Sequence, residues 1–353
     1  MTDLEALRSQ FDHLDDQIVE LLNQRAALSK RVGQVKGPGA PVYVPDRESS
    51  IVRRLKQASS GALPESGLEA VYREILSTSR ALQSPPRVAF LGPAGTFSHQ
   101  AAVNHFGAAS TFQPVPTMAD VFRETEVGRT DFGIVPIENS LDGGEKSTLD
   151  GFVDTELKAC AEFRLDVHQT LMSRSALADV RTVCSHPNAL GQCRDWLRQH
   201  LPNAALVEVS STAAAAQQAA QREQTAAIAP EVAATLYDLN ILEPRIEDAS
   251  GNTTRFLVLG HEMSARTGRD RMSLLLSVRD RVGVLRDVLS VFVEAGVNLT
   301  KIESRPSKRR VWDYLFFLDL NAHPDDPGMP EALKRLEELT VFVKILGAWA
   351  QTA

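Results

Sequence analysis

The chain has 353 residues, 43% of them hydrophobic and 24% charged, and a net charge of −7, which suits two or three soluble globular domains and argues against nucleic acid as a partner. No apolar run approaches the ~20 residues that span a bilayer, and the charged start M-T-D-L-E-A-L-R lacks the apolar segment of a secretory signal. Cys160, Cys184 and Cys193 show no C-x-x-C spacing and the histidines form no H-x-x-x-H pair, so a cytoplasmic, metal-independent protein without a disulfide framework is expected.

From Asp3 to Lys36 there is no proline and a single glycine, Gly33. Leu4, Phe11, Ile18 and Val32 recur on a seven-residue grid, and Leu7, Leu14, Leu21, Leu28 and Val35 form the companion series. This is an a/d stripe on a helix about 50 Å long, which cannot bury its seam alone and requires partner helices or a second subunit. Two further helices are predicted over 46–59 and 64–83, followed by a Ser84-Pro85-Pro86 linker. Between 87 and 260, short apolar strands at 132–137, 182–184, 205–209 and 226–229 alternate with helices, the pattern of an α/β fold with largely parallel sheets. The alanine-rich run after Ser211-Thr212 reads as a capped helix. From Arg271 onward the order is strand (272–278), helix (283–295), strands (297–303 and 311–320), helix (330–339) and strand (341–346). That β-α-β-β-α-β order is the ferredoxin-like α+β unit.

Arg25 fills the heptad position of Leu4, Phe11, Ile18 and Val32, where a guanidinium is costly unless an anion pairs with it. Lys36 lies about 20° around the helix from Arg25, so the two cations face one way. Arg8 is turned by about 100° and would serve a different cavity, such as a partner subunit's. On the third helix Ser79 and Gln83 continue the stripe of Leu68, Tyr72 and Ile75 as polar residues. A solvated or paired side chain is the plainer account of each.

With the strings L-R-S-Q-F-D-x-L-D-D-Q-I, L-x-x-R-A-A-L and D-R-E, residues 1–84 resemble the all-helical chorismate mutase domain. The resemblance implies an intertwined dimer in which Arg25, Arg47 and Arg8 of the partner subunit grip the carboxylates of chorismate. It assigns Lys36 and Gln83 to the ether oxygen, and Glu48 and Ser79 to the hydroxyl side. A Claisen rearrangement suits such a set. It needs no nucleophile, metal or cofactor, only a compressed conformer and positive donors at the developing charge. Val44 stands where relatives can carry an aspartate.

After the apolar run 88–91 comes G-P-A-G-T-F-S-H-Q-A-A, a strand entering a glycine-rich turn and a helix, the shape that holds an anion. It lacks a P-loop lysine and G-x-G-x-x-G, so a nucleotide is not its expected ligand; alone, it could be a plain strand–helix turn. Its companions are P-I-E-N-S at 136–140, S-H-P at 185–187 with Gln192, S-S-T-A-A at 210–214 and T-R-F at 254–256. Each lies at or near a strand end, where open α/β sheets place ligands. Together they resemble prephenate dehydratase over 87–262, a family of two α/β lobes with the active site in the cleft between them. The resemblance implies Thr254 as the principal catalytic residue and Thr96, Ser98, Glu138, Asn139, Ser140, Ser185, Gln192 and Ser211 as contacts of prephenate. A threonine hydroxyl is a poor acid, so Thr254 is read as a hydrogen-bond donor to the leaving oxygen. Glu138 or His186 would supply a proton, although a capped or packed histidine is the plainer reading of His186. Arg255 either binds a substrate carboxylate or closes an ion pair in the cleft wall.

Residues 271–353 resemble an ACT domain through R-V-G-V-L at 281–285 and E-S-R-P at 303–306. In relatives these strings bind phenylalanine between paired ACT domains. That implies Gly283, Val284, Leu285, Asn298, Glu303, Ser304, Arg305 and Pro306 as effector contacts; a strand end with an ion pair is the plainer account of E-S-R-P. The three resemblances in this order imply a bifunctional chorismate mutase and prephenate dehydratase inhibited by L-phenylalanine. It would act on small molecules, use no cofactor, and assemble as a homodimer or larger homo-oligomer. One rival, a mutase fused to a dehydrogenase, would need a dinucleotide fingerprint. The other is a two-lobed binding or sensor protein without catalysis.

Overall fold

The computed structural model describes residues 3–37, 41–279, 281–306 and 314–351. By compactness the chain divides into two units, Met1–Arg87 with His105–Thr111, and Val88–Asn104 with Phe112–Ala353.

The first unit holds α1 (Asp3–Lys36), α2 (Pro45–Ala58) and α3 (Glu65–Ala81). α1 is the long proline-free helix expected from its heptads, and none of its residues is buried. Leu4, Leu7, Phe11, Leu14, Ile18, Leu21, Leu28 and Val32 are each 46–66% exposed, so one chain does not cover its own seam. α2 opens on Pro45, where a missing N–H costs no helix bond, and its N-cap Val44 offers no side-chain bond. α3 buries Leu76, Ser77 and Arg80. Against that face lies the segment 105–111: Phe106 O accepts from Arg80, Ser77 Oγ from Ala109 N at 3.2 Å, and Glu74 Oε2 from Ala108 N at 3.1 Å. The Tyr43 hydroxyl sits 2.6 Å from His105 Nε2, and the Arg80 guanidinium lies 5.3 Å from the Tyr43 ring centre. Burial, helped by the Arg80 charge, pushes the His105 imidazole down to about 3.

The second unit begins with β1 (Arg87–Leu91), α4 (Phe97–Phe106), β2 (Thr111–Val115), α5 (Met118–Glu126), β3 (Phe132–Asn139), β4 (Gly143–Gly144), α6 (Lys146–Asp154) and β5 (Lys158–Asp166). A second lobe follows with β6 (Thr170–Ser173), β7 (Thr182–Ser185), α7 (Pro187–Gln192), α8 (Arg194–His200), β8 (Ala205–Glu208), α9 (Thr212–Gln221), β9 (Thr225–Ala229), α10 (Val232–Tyr237) and β10 (Asn240–Glu243). The chain returns as β11 (Thr253–Gly260). It ends as β12 (Asp270–Ser277), α11 (Val284–Glu294), β13 (Leu299–Pro306), β14 (Tyr314–Leu320), α12 (Met329–Leu339) and β15 (Phe342–Ala350). The last six elements keep the expected β-α-β-β-α-β order; positions 311–313 of the predicted third strand lie outside the described residues.

Ten strands form one sheet, ordered β13-β14-β12-β15-β5-β11-β3-β1-β2 with β4 beside β3, and five form another, ordered β10-β6-β9-β7-β8. Both sheets are mixed, which corrects the largely parallel expectation. β1–β3, β7–β8 and β7–β9 are parallel. β11, however, runs antiparallel to both β3 and β5, and β6 antiparallel to both β9 and β10. Strand–helix alternation does not encode the direction in which a strand re-enters the sheet after the excursion through the second lobe.

Ile137, Leu257 and Leu259 of β3 and β11 share one core with Leu149 and Phe152 of α6 and with Leu275, Phe317, Leu346 and Trp349 of the last module. Each such side chain contributes about 1.5–3 kcal/mol on burial, so the last module is packed onto the first lobe, not merely tethered. Among the described residues no helix is long and apolar enough to cross a membrane.

Candidate functional site

In the helical unit, Arg25 reaches from α1 to α3, where Nη1 donates to Ser79 Oγ and to Ile75 O at 3.4 Å. Ser79 Oγ donates to Ile75 O at 2.7 Å, and Gln83 Nε2 donates to Ser79 O at 3.2 Å. Gln83 Oε1 is buried with no hydrogen-bond partner among the described residues, an acceptor ready for a ligand. Glu48 receives Arg80 Nη1 at 2.5 Å on both oxygens. Burial raises the Glu48 carboxyl above its ordinary value, against the pull of Arg80 and of Arg25. Arg25, Glu48, Ser79 and Gln83 are thus gathered between helices. Arg8, Lys36 and Arg47 are exposed on this single chain; Lys36 Nζ donates to Pro41 O at 2.8 Å.

In the second unit, the turn after β1 faces the second lobe. Gly95 has φ +91°, and a Cβ there would lie 3.0 Å from the Tyr237 ring and 3.5 Å from Ala213 Cβ, so only glycine fits both constraints. Tyr237 Oη donates to Ala94 O at 3.0 Å. Thr96 Oγ1 donates to Leu91 O at 3.3 Å, and Ser98 is buried at the start of α4. His99 Nδ1 accepts from Gly95 N at 3.1 Å, and burial lowers its pKa, which favours the neutral ring that an acceptor nitrogen requires.

Several expected contacts from the second lobe serve local structure. Ser211 caps α9, its Oγ accepting from Ala214 N at 3.0 Å. His186 caps α7 by accepting from Asn188 N at 3.3 Å, which is its plainer reading. The Ser185 hydroxyl is fully buried and donates to Ile228 O at 2.6 Å. Gln192 Oε1 accepts from Gln169 Nε2 at 2.8 Å.

Strands β3 and β11 carry the tightest constellation. Their register sets Thr254 opposite Asn139 and Arg255 opposite Glu138. Asn139 Nδ2 donates to Thr254 Oγ1 at 2.9 Å and to Asn252 Oδ1 at 2.8 Å. Ser140 Oγ donates to Gly251 O at 3.1 Å and accepts from Thr253 N at 3.0 Å, clipping the two strand ends together. Because strand residues alternate faces, Arg255 points away from Thr254. It is 9% exposed and committed to Asp319 at 2.5 Å and Glu162 at 3.0 Å. Burial opposes its charge, and the two carboxylates outweigh burial, leaving its pKa above the ordinary arginine value. Of the two readings open for Arg255, the geometry favours the ion pair over a grip on substrate. Glu162 also takes Arg271 at 3.0 Å and Trp349 Nε1 at 3.1 Å, and Asp319 takes the Ser273 hydroxyl.

The same strand pair touches the last module at a second point. Along β13, Lys301, Glu303 and Arg305 are partly buried, while Ile302, Ser304 and Pro306 are exposed. Lys301 Nζ lies 3.1 Å from Glu138 Oε2 and 3.2 Å from Glu303 Oε2. Arg305 donates to Lys146 O at 2.7 Å and pairs with Asp150 at 2.8 Å. E-S-R-P is therefore divided between two faces, with ion pairs on the inner one. Gly283, at φ +84°, caps α11; Val284 is buried behind it, Leu285 is partly buried, and Asn298 is exposed with its carbonyl bonded to Asn321 N at 2.9 Å.

Sequence reasoning missed Arg80, Asn252 and Lys301. Asn252 had a signal: two residues before Thr254 on an extended segment, it shares that residue's face. Arg80 follows Leu76 by one helical turn, and Lys301 had no local signal. Among the described residues no cluster of three histidine, cysteine or carboxylate side chains has metal-site geometry.

Three families match the chain: Chorismate mutase type II over residues 7–84, Prephenate dehydratase over 88–264, and ACT domain over 272–338. The bifunctional chorismate mutase/prephenate dehydratase of Aquifex aeolicus is 43% identical, covering 99% of this chain and 98% of that protein. Among solved structures, the prephenate dehydratase of Arthrobacter aurescens in complex with L-Phe is 33% identical with a TM-score of 0.68, covering 75% of this chain and 90% of that one. A structure described as a novel type of quorum quenching acylase is 28% identical with a TM-score of 0.69, covering 75% of this chain and 98% of that one. With three family matches in sequence and such identity along nearly its whole length, the chain belongs to the bifunctional chorismate mutase/prephenate dehydratase family.

Proposed function

We propose that this chain, working in the cytoplasm, converts chorismate to prephenate in its helical unit and prephenate to phenylpyruvate in its two-lobed unit, under feedback by L-phenylalanine. The dehydratase half rests on one observation above all: the Asn139 amide donates to the Thr254 oxygen. A hydroxyl that accepts through oxygen keeps its proton for another partner, here the oxygen leaving prephenate. The electrons of the breaking C–CO2 bond flow into the ring and expel that oxygen as hydroxide held by the Thr254 hydrogen bond, and a proton taken up from solvent converts it to water. Aromatisation supplies the driving force, so the protein's task is to orient the substrate and stabilise the departing oxygen. The N–H groups at the start of α4 suit a prephenate carboxylate. Arg255 supports the site from behind the strand and does not touch substrate.

In the helical unit, Arg25 grips a chorismate carboxylate together with Arg47 and Arg8 of the partner subunit. Lys36 and the second N–H of the Gln83 amide donate to the ether oxygen, which can only accept, and Glu48, steadied by Arg80, serves the hydroxyl with Ser79. The bare α1 seam supports a homodimer, since a second copy would cover the seam and bring Arg8 to the neighbouring cavity. Phenylalanine sensing is read for the start of α11 and for β13. Its support is that β13 reaches β3, the strand paired with that of Thr254, through Lys301 and Glu138. Fold alone does not choose the chemistry, as the acylase relative illustrates; the side chains carry the reading. The test is to give the purified chain chorismate, then prephenate, with no metal or cofactor added. Prephenate and phenylpyruvate are the expected products, and failure of either to form refutes that half.

A further inference from the structure

Asn252, two residues before Thr254, is 7% exposed and lies against the same strand pair. The direction of every hydrogen bond around it follows from chemistry. Leu141 and Asp142 present backbone N–H groups to one atom of the Asn139 amide, at 2.9 and 3.1 Å, and an N–H only donates. That atom is therefore the carbonyl oxygen, and the NH2 faces the other way. Its two hydrogens meet two acceptors, Asn252 Oδ1 at 2.8 Å and Thr254 Oγ1 at 2.9 Å.

We infer that Asn252 is a positioning residue of the dehydratase step. It takes one hydrogen of Asn139 and thereby aims the other at Thr254, whose own proton is left for the departing hydroxyl. The inference rests on the dehydratase reading above. The terminal torsion of an asparagine is soft; Leu141 N and Asp142 N hold the oxygen end of Asn139, and Asn252 Oδ1 fixes the tilt at which its NH2 meets Thr254. Without Asn252 Oδ1 a half-buried N–H would lack an acceptor, and the NH2 end would tilt off its line to Thr254 while the oxygen stays on Leu141 N and Asp142 N. The frame around Asn252 is firm: its carbonyl accepts from Val167 N at 2.8 Å, and Ser140 clips the residues on either side, Gly251 and Thr253. Asn252 thus orients Thr254 through Asn139 without needing to meet substrate itself.

Steady-state kinetics on the full chain with prephenate test this. Asn252→Leu keeps the side chain's size and removes the acceptor; its kcat falls about 10- to 100-fold while KM stays within about twofold. Asn252→Asp keeps an acceptor oxygen in place; its kcat stays within about threefold, while KM rises because its charge opposes a dianionic substrate. A purely structural role would not produce this split. Mutase activity and the melting transition of the same preparations report folding, and Asn252→Ala carries the same expectation as Asn252→Leu if the larger side chain is not accommodated. Wild-type kcat in the leucine and alanine variants overturns the inference, and so does an equal loss in Asn252→Asp. A wild-type chain that makes no phenylpyruvate overturns the dehydratase reading itself. An active wild type with indifferent variants overturns only the role of Asn252.

Discussion

Replacing Thr254 by valine exchanges one hydroxyl for a methyl and keeps the branched shape that suits a strand interior. β11 stays paired to β3 and β5 on either side, so the ladder is untouched. Two losses follow from the geometry. Asn139 Nδ2, now 2.9 Å from Thr254 Oγ1, loses an acceptor, at a stability cost of about 1–3 kcal/mol. The transition state loses a donor at the departing oxygen. Removing one such donor from an oxyanion hole costs about 2.7–4 kcal/mol, or about 10²–10³ in rate. The donor matters most as charge develops, so kcat should fall by that factor and KM move little. The assay follows phenylpyruvate formation from prephenate, with chorismate turnover measured on the same preparation as a control. Thr254→Ser, which restores a hydroxyl, should recover most of the rate. A valine variant within threefold of wild type, or one whose mutase rate falls in step, would refute the reasoning.

Lys301→Met removes the ion pair between β13 and Glu138. The phenylalanine concentration that halves dehydratase activity should rise about tenfold with the uninhibited rate nearly kept, and unaltered inhibition would show that this pair transmits nothing. His105 is held neutral, with a folded pKa of about 3 against an ordinary 6.5. Its contribution to stability is therefore present above pH 6.5 and lost as pH falls toward 3. Going from pH 7 to 5 should cost at most about 2 kcal/mol, an upper bound because the residue is not fully buried. Thermal melts of wild type and His105→Phe should diverge over that window, and parallel melts would contradict the assignment. Ile18→Glu places a charge in the α1 seam; sedimentation should shift to a smaller species and mutase activity should drop, whereas wild-type sedimentation would rule out the seam as the contact.

Much of the architecture was written in local pattern. The heptads of α1, the Ser211 cap before an alanine-rich helix, and the order of the last six elements all depend on residues a few positions apart, the range over which periodicity and capping act. Of the motif strings, P-I-E-N-S meets Thr254 through Asn139. Tertiary structure decided the rest. Whether Arg255 faces substrate or Asp319 depends on the face of β11, and that follows from how β11 re-enters the sheet between β3 and β5. Asn139 and Thr254 lie 115 positions apart, and only strand register makes them partners. Lys301 meets Glu138 because β13 folds back onto the first lobe. Ser185 and Ser211, polar and plausible as ligands in the linear sequence, spend their hydroxyls on a sheet carbonyl and a helix end. A polar side chain declares its chemistry in the sequence, but which group satisfies it is a matter of three-dimensional neighbours, and that separates the residues that hold substrate from those that hold the fold.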